Sequence, residues 1–299
     1  MEWSRVKEKL TASKCFMSES KVVADIPVPE IKVPHFTKEH PDAEGNYYGP
    51  HTGCQGGCFE GRYYYQSFLK YCYNDGEQYA NSLHVNNKKC IVRIVKYDVE
   101  QGKVVGISKE IDCLNHINDM TYYPVKNQLV ACNNRGNKNV ISYLNADTLE
   151  YEGSQTLEYE LYAIDYHAKT NRYILGISGT TRIVITDDTF APLSEVVVDE
   201  EMRRDYTKQN ICCDDTYIYC LYSGKRHAKD RYRIFVYTWE GEFVTMIRGQ
   251  DLTCELENAS IYEGALFVGG GMKLRIIQEL HLEPEGEISD GNEMDVCNK

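Results

Sequence analysis

The feature that most constrains this chain is a strand-turn-strand unit that recurs five times. Its second strands are Arg62–Phe68, Gln128–Cys132, Arg172–Ile177, Thr216–Tyr222 and Ala265–Val268. Each follows a turn pair, in order Glu60-Gly61, Lys126-Asn127, Thr170-Asn171, Asp214-Asp215 and Glu263-Gly264. These turn residues tolerate positive φ or bond their own backbone, and the runs after them hold the β-branched and aromatic side chains that suit a half-buried pleated surface. A second hairpin follows in four of the five units: Ile94–Asp98 before Gln101-Gly102, Ile141–Asn145 before Asp147, Ile183–Asp187, and Ile234–Trp239 before Glu240-Gly241. Each unit therefore reads as four strands, A to D.

Superposing the units on strand A lines up Gln55, Asn118, Tyr162, Gln209 and Glu257, followed by Gly56, Asp119, Ala163, Asn210 and Asn258. The steps down the first column are 63, 44, 47 and 48 residues. Three steps match one four-stranded sheet, and the longest carries an insertion. The last unit has strands A to C only, so its outer strand must come from elsewhere. Lys21–Ile26 is the expected donor, because joining the two chain ends removes exposed sheet edges. The expected fold is all-β, a five-bladed β-propeller of four-stranded antiparallel blades closed by an N-terminal strand. Residues 1–17 are then an extension and 18–282 a single domain with a lid-like insertion at 69–89. Residues 283–299 form an acidic tail.

Composition narrows the function. With 33 Lys+Arg against 45 Asp+Glu, the net charge of −12 argues against a surface for nucleic-acid polymers spread over the chain. No window approaches the roughly 18 apolar residues of a membrane helix, and the first ten residues hold no apolar signal core. The expectation is a cytoplasmic protein with no membrane partner. Most of the 12 cysteines, such as Cys132 and Cys220, sit in apolar strand runs and read as reduced core thiols.

Across residues 18–280 the chain resembles the propeller superfamily of lactonase-like and NHL- or YncE-like repeat proteins. The resemblance is carried by the strand-turn rhythm and by the opening His116-Ile-Asn-Asp-Met-Thr-Tyr-Tyr-Pro124. It implies that strand A lines a central funnel and starts at the face where ligands commonly bind. Gln55, Asn118, Tyr162, Gln209, Glu257 and Asn258 would then gather at one mouth, with His116 and Asp119 beside them. Loops at the same mouth supply Arg135, Lys138, Arg182, Arg203, Arg204, Lys208, Lys225, Arg226, Lys229 and Arg231. In an acidic chain this concentration of cations would steer a small anion toward the funnel, and guanidinium groups match phosphate or carboxylate oxygens.

The expected partner is thus a small anionic molecule: a phosphorylated or carboxylated sugar, or a nucleotide. Hydrolytic or lyase turnover would use His116 for proton transfer, with Asp119 or Glu257 as its companion. Two carboxylates near one axis also allow a glycoside-hydrolase-like arrangement. No cofactor is required. Asn118, Asp119, Glu257 and Asn258 are nevertheless oxygen ligands of the kind that Ca²⁺ or Mg²⁺ accepts, so a cation-dependent, lactonase-like enzyme is an alternative. His51, Cys54 and Cys58 lack a fourth zinc ligand. A protein-interaction scaffold is the third reading, with Tyr71, Tyr73 and Tyr79 as its exposed aromatics.

Overall fold

The computed structural model describes residues 15–18, 20–27, 40, 46–74, 85–135, 137–198, 206–224, 232–249, 256–270 and 273–277. Within them all regular structure is β, arranged as five sheets in a ring whose strands pair antiparallel except for one N-terminal strand. The chain opens with β1 (Cys15–Ser18) and β2 (Ser20–Asp25), and then runs through the blades in order. Blade 1 holds β3 (Asn46–Glu60), β4 (Tyr63–Asn74), β5 (Val85–Asp98) and β6 (Lys103–Ile107). Blade 2 holds β7 (His116–Tyr123), β8 (Gln128–Arg135), β9 (Val140–Asn145) and β10 (Tyr151–Thr156). Blade 3 holds β11 (Leu161–His167), β12 (Arg172–Ile177), β13 (Arg182–Thr186) and β14 (Pro192–Val197).

Blade 4 is built from β15 (Tyr206–Cys213), β16 (Tyr217–Gly224), β17 (Tyr232–Thr238) and β18 (Phe243–Gly249). Blade 5 is built from β19 (Asn258–Tyr262), β20 (Ala265–Gly270) and β21 (Lys273–Ile277), with β2 as its outer strand. Pairings such as Val22 with Arg275 and Ala24 with Leu274 join the two ends of the chain in one antiparallel sheet. This is the closure expected from Lys21–Ile26. β1 was not foreseen: it lies parallel to β18 as a fifth strand on blade 4, with Cys15 opposite Met246 and Ser18 opposite Gly249.

The hydrophobic core is divided among the junctions between blades. There are five clusters, one for each neighbouring pair of blades. The period-two alternation of a strand explains this division. Along β16, Ile218, Cys220 and Tyr222 face blade 3, whereas Tyr219 and Leu221 face blade 5. Both faces of the strand are buried, which is why its sequence is an unbroken apolar run. In the first unit β3, β4 and β5 are longer than their counterparts, and Tyr73 pairs with Val85. The insertion at 69–89 therefore begins and ends as sheet, and residues 75–84 lie outside the described residues.

Candidate functional site at the axial mouth

The aligned column has a backbone meaning. Register shifts interrupt β3 between Cys54 and Gly57, β7 between Ile117 and Asp119, β11 between Leu161 and Ala163, and β15 between Lys208 and Asn210. The residue left over is Asn118, Tyr162 or Gln209, and in blade 1 Gln55 with Gly56. A bulge leaves one residue unpaired and re-aims its polar groups. Here three of the released carbonyls are taken up by other blades. Asn118 Nδ2 donates to Tyr162 O at 2.5 Å and to Gln209 O at 2.7 Å. Gln55 O accepts from Asn258 Nδ2 at 3.0 Å, and also from Gln66 Nε2.

Directly beneath lies a second set of links, from side chains to backbone N–H groups. Asp119 accepts from Ile164 N of blade 3 at 3.1 Å, from Ile211 N of blade 4 at 3.4 Å and from Asn210 Nδ2 at 2.5 Å, besides its neighbour Met120 N at 2.8 Å. Asn210 Oδ1 in turn accepts from Ala259 N of blade 5 at 3.0 Å. One layer further along, Thr121 accepts from Tyr166 N at 3.1 Å and Asp165 accepts from Cys213 N at 2.9 Å. The same motif, a side chain gripping the next blade's inner strand, thus repeats at corresponding positions.

The grip is tight enough to exclude a methyl group at one place. A Cβ on Gly56 would stand 2.6 Å from the Cα of Asp119. Burial pushes the Asp119 carboxyl well above its ordinary range, Asp165 adds to the rise, and the N–H donors of Ile164, Met120 and Ile211 pull the other way. Burial likewise raises Asp165, against the hydrogen bonds from Thr121 and Cys213.

These contacts sort the expected site residues. Asn118, Asp119 and Asn258 are buried to 2% exposure or less and tie blades together. The Tyr162 ring packs against Gly176, where a Cβ would come within 2.6 Å of it, and belongs to the core between blades 3 and 4. Arg182 is engaged within its own blade: its Nε donates to Glu195 Oε1 at 2.6 Å, and its Nη2 pairs with Oε2. That hydrogen bonding holds the Glu195 carboxyl below its usual range. Arg135 ends β8 opposite His116. Arg203, Arg204 and Arg226 lie outside the described residues. Among the described residues no group of three or more His, Cys, Asp and Glu side chains is placed to hold a metal ion.

The mouth itself is formed where inner strands begin and second strands end. His116 and Gln55 are buried there at 6% and 7% exposure, and Glu257 is half-buried. Gln209 Nε2 donates to Ser223 Oγ at 2.9 Å, which fixes the amide. On the blade 3 side two ammonium groups converge on the end of β12. Lys138 of blade 2 donates to Ser178 Oγ at 3.2 Å, and Lys208 of blade 4 donates to Ile177 O at 3.1 Å. Lys208 also sits 4.5 Å from the centre of the Tyr162 ring, a cation–π contact. Both lysines are half-buried, and among the described residues no carboxylate lies within ion-pair distance of Lys138. The sequence showed these lysines only as two cations among many. Their convergence on Ile177 and Ser178 comes from the ring geometry.

No protein-family model matches the chain, and no curated protein does. Among solved structures, glutaminyl cyclase from Myxococcus xanthus is similar over 89% of this chain and 98% of that chain, with a TM-score of 0.54 and 13% identity. That likeness shows the fold. A chain of the mitotic checkpoint complex (TM-score 0.38, 12% identity, 80% of this chain and 76% of that chain) also matches, at a level that carries no argument. So does hydrazine synthase from Kuenenia stuttgartiensis (TM-score 0.36, 12% identity, 67% of this chain and 55% of that chain).

Proposed function

We propose that the protein binds a small anionic molecule, such as a phosphorylated or carboxylated sugar or a nucleotide, at the axial mouth on the blade 3 side. The observation that supports this most is the convergence of Lys138 and Lys208 on Ile177 and Ser178. Two half-buried ammonium groups close to one strand end make a local positive field in a chain of net charge −12. Such a field draws in anions, and partial burial strengthens it relative to open solvent. The fixed amide of Gln209 and the hydroxyls of Ser178 and Ser223 add neutral hydrogen-bonding partners for the rest of such a molecule. Asp119 enters this reading as a support of the ring, because its oxygens are occupied by four N–H donors.

A ligand that binds only the folded state raises the melting temperature by mass action. Ribose 5-phosphate, glucuronate and AMP at millimolar concentration are suitable probes, with ribose as the neutral control. At least one anion is expected to raise the melting temperature of the wild type, and Lys208→Met is expected to lose that rise while melting normally without ligand. No shift with any anion, or the same shift in Lys208→Met, contradicts the reading.

The second reading adds turnover by a hydrolase or lyase. It is favoured by an imidazole and a carboxylate, His116 and Glu257, at the same mouth. Bound ligand should then change chemically over time, and His116→Ala should stop the change without abolishing binding. Ligand recovered intact after long incubation leaves binding alone.

A further inference from the structure

The end of the ring opposite the mouth carries a chain of three side chains in the turn between β11 and β12 and its neighbour in blade 4. Thr170 Oγ1 lies 2.8 Å from His167 Nδ1, and His167 Nε2 lies 2.9 Å from Asp215 Oδ1. Lys169 Nζ bonds the other oxygen of the same carboxylate. Lys169 and His167 hold that carboxyl below its usual range, so it is ionised and can only accept hydrogen bonds. The proton of the neutral imidazole therefore sits on Nε2. Nδ1 is left as an acceptor, and the Thr170 hydroxyl donates to it. Hydroxyl, imidazole and carboxylate in this order are the parts of an activated nucleophile.

Blade 2 supplies an internal comparison. Asn127 N donates to Pro124 O at 3.3 Å, as Asn171 N does to Ala168 O at 3.4 Å, and the two asparagines take φ of 53° and 55°. Tyr122 OH donates to Asn127 Oδ1, as Tyr166 OH does to Asn171 Oδ1. In this matching turn Tyr123 and Lys126 stand in the places of His167 and Thr170. The turn thus forms without a hydroxyl–imidazole pair, and in blade 3 the pair is an addition to it. His167 is buried and fixed between two blades, whereas Thr170 is exposed and open to a reactant. The Trp239 ring, centred 5.1 Å from the imidazole, places apolar surface beside it.

We propose that Thr170 is a nucleophile toward small acyl esters, with His167 as its general base and Asp215 as the positioning residue of the imidazole. Thr170 Oγ1 bonds to the ester carbonyl carbon as its proton passes to His167 Nδ1. The ester C–O bond then breaks, and the alcohol leaves with that proton. Water releases the acyl group from Thr170 by the same route, which yields the carboxylic acid and restores the hydroxyl. The anion site at the mouth shares no residue with this chain of groups, so each stands or falls alone.

The probe is p-nitrophenyl acetate, with nitrophenolate release followed by absorbance and the acetylated residue located by peptide mass spectrometry. Wild type, Thr170→Val, Thr170→Ser and His167→Gln are compared. The wild type is expected to carry acetyl on Thr170 and to release nitrophenolate about 100-fold faster than Thr170→Val or His167→Gln, the usual scale of general-base catalysis. Thr170→Ser retains the hydroxyl and should stay within about tenfold of the wild type. Because Thr170 is exposed, Thr170→Val tests the chemistry without disturbing the core. A rate in Thr170→Val within about threefold of the wild type, or acetyl found only on lysines or cysteines, overturns the proposal. So does a His167→Gln variant that melts earlier yet turns the ester over unchanged, since the three groups are then only a link between blades.

Discussion

At the scale of single residues, the ring depends on contacts that alternative side chains cannot reproduce. Gly56→Ala would drive a Cβ into the backbone of Asp119 at 2.6 Å, whereas Gly176→Ala meets the ring of Tyr162 at 2.6 Å and the tip of Ile211 at 2.9 Å. Backbone yields less than side chains, so both should destabilise the protein, Gly176→Ala by about 1–3 kcal/mol and Gly56→Ala by more. Urea denaturation of the two variants measures the order, and a milder Gly56→Ala contradicts the close approach of blades 1 and 2. Asp119→Ala leaves N–H donors of Ile164 and Ile211 and the Asn210 amide without their acceptor. A loss of about 3 kcal/mol is expected, and a neutral effect in the same assay would remove Asp119 from the ring's support. The residue type at these positions was visible in the aligned column, but its role was not. An aspartate that bonds two other blades looks, along the chain, like an aspartate that could bind substrate.

At the scale of elements, closure is carried by β2 and not by β1, and truncation separates them. Removal of residues 1–19 deletes the parallel fifth strand of blade 4 and leaves blade 5 complete. That variant should remain monodisperse and melt in one cooperative transition, a few degrees lower at most. Removal of residues 1–25 also deletes the partner of β21, which exposes a sheet edge and opens the junction filled by Ala24, Leu274, Tyr64 and Phe68. Aggregation or loss of the cooperative transition is expected. A well-behaved 1–25 deletion contradicts closure by the N-terminal strand.

Four-stranded units were legible because each turn pair and each alternating run is a local signal. β1 was not legible: four residues beside a polar stretch carry no periodicity, and its partner lies more than two hundred residues away. The length of β3 was hidden for a different reason. Pro and Gly are depleted in strands, yet Pro50, Gly53, Gly56 and Gly57 lie within a strand whose register shifts three times.

At the scale of the whole molecule, the two ends of the ring do different work. Opposite the mouth, His167 lies 2.9 Å from Asp215 and Lys169 lies 2.5 Å from it, which fastens blade 3 to blade 4. Lys169 and His167 hold the Asp215 carboxyl below its usual range. A depressed folded pKa contributes stability above the unfolded value of about 3.9, and the contribution is lost as pH falls through the folded pKa. Asp215→Asn should therefore lower the melting temperature at neutral pH and make little difference near pH 2. An equal drop at both pH values contradicts the ion-pair account. The buried Asp119 and Asp165 have the opposite sign: their raised pKa values favour the fold at low pH, and that advantage declines as pH climbs above about 4.

The axis is crossed by links between blades, so the proposed ligand would sit on the rim above them. The sequence offered many loop cations for one face, but not that two of them, Lys138 and Lys208, would meet at a single strand end. Anomalous diffraction from crystals soaked in tungstate, a heavy phosphate mimic, locates the anion directly. A peak beside Lys208 or Lys138, absent in the Lys138→Met, Lys208→Met double variant, is the predicted result. Density on the axis among Asn118, Asp119 and Asn258, or on the face of His167 and Asp215 with nothing at the lysines, would contradict the account.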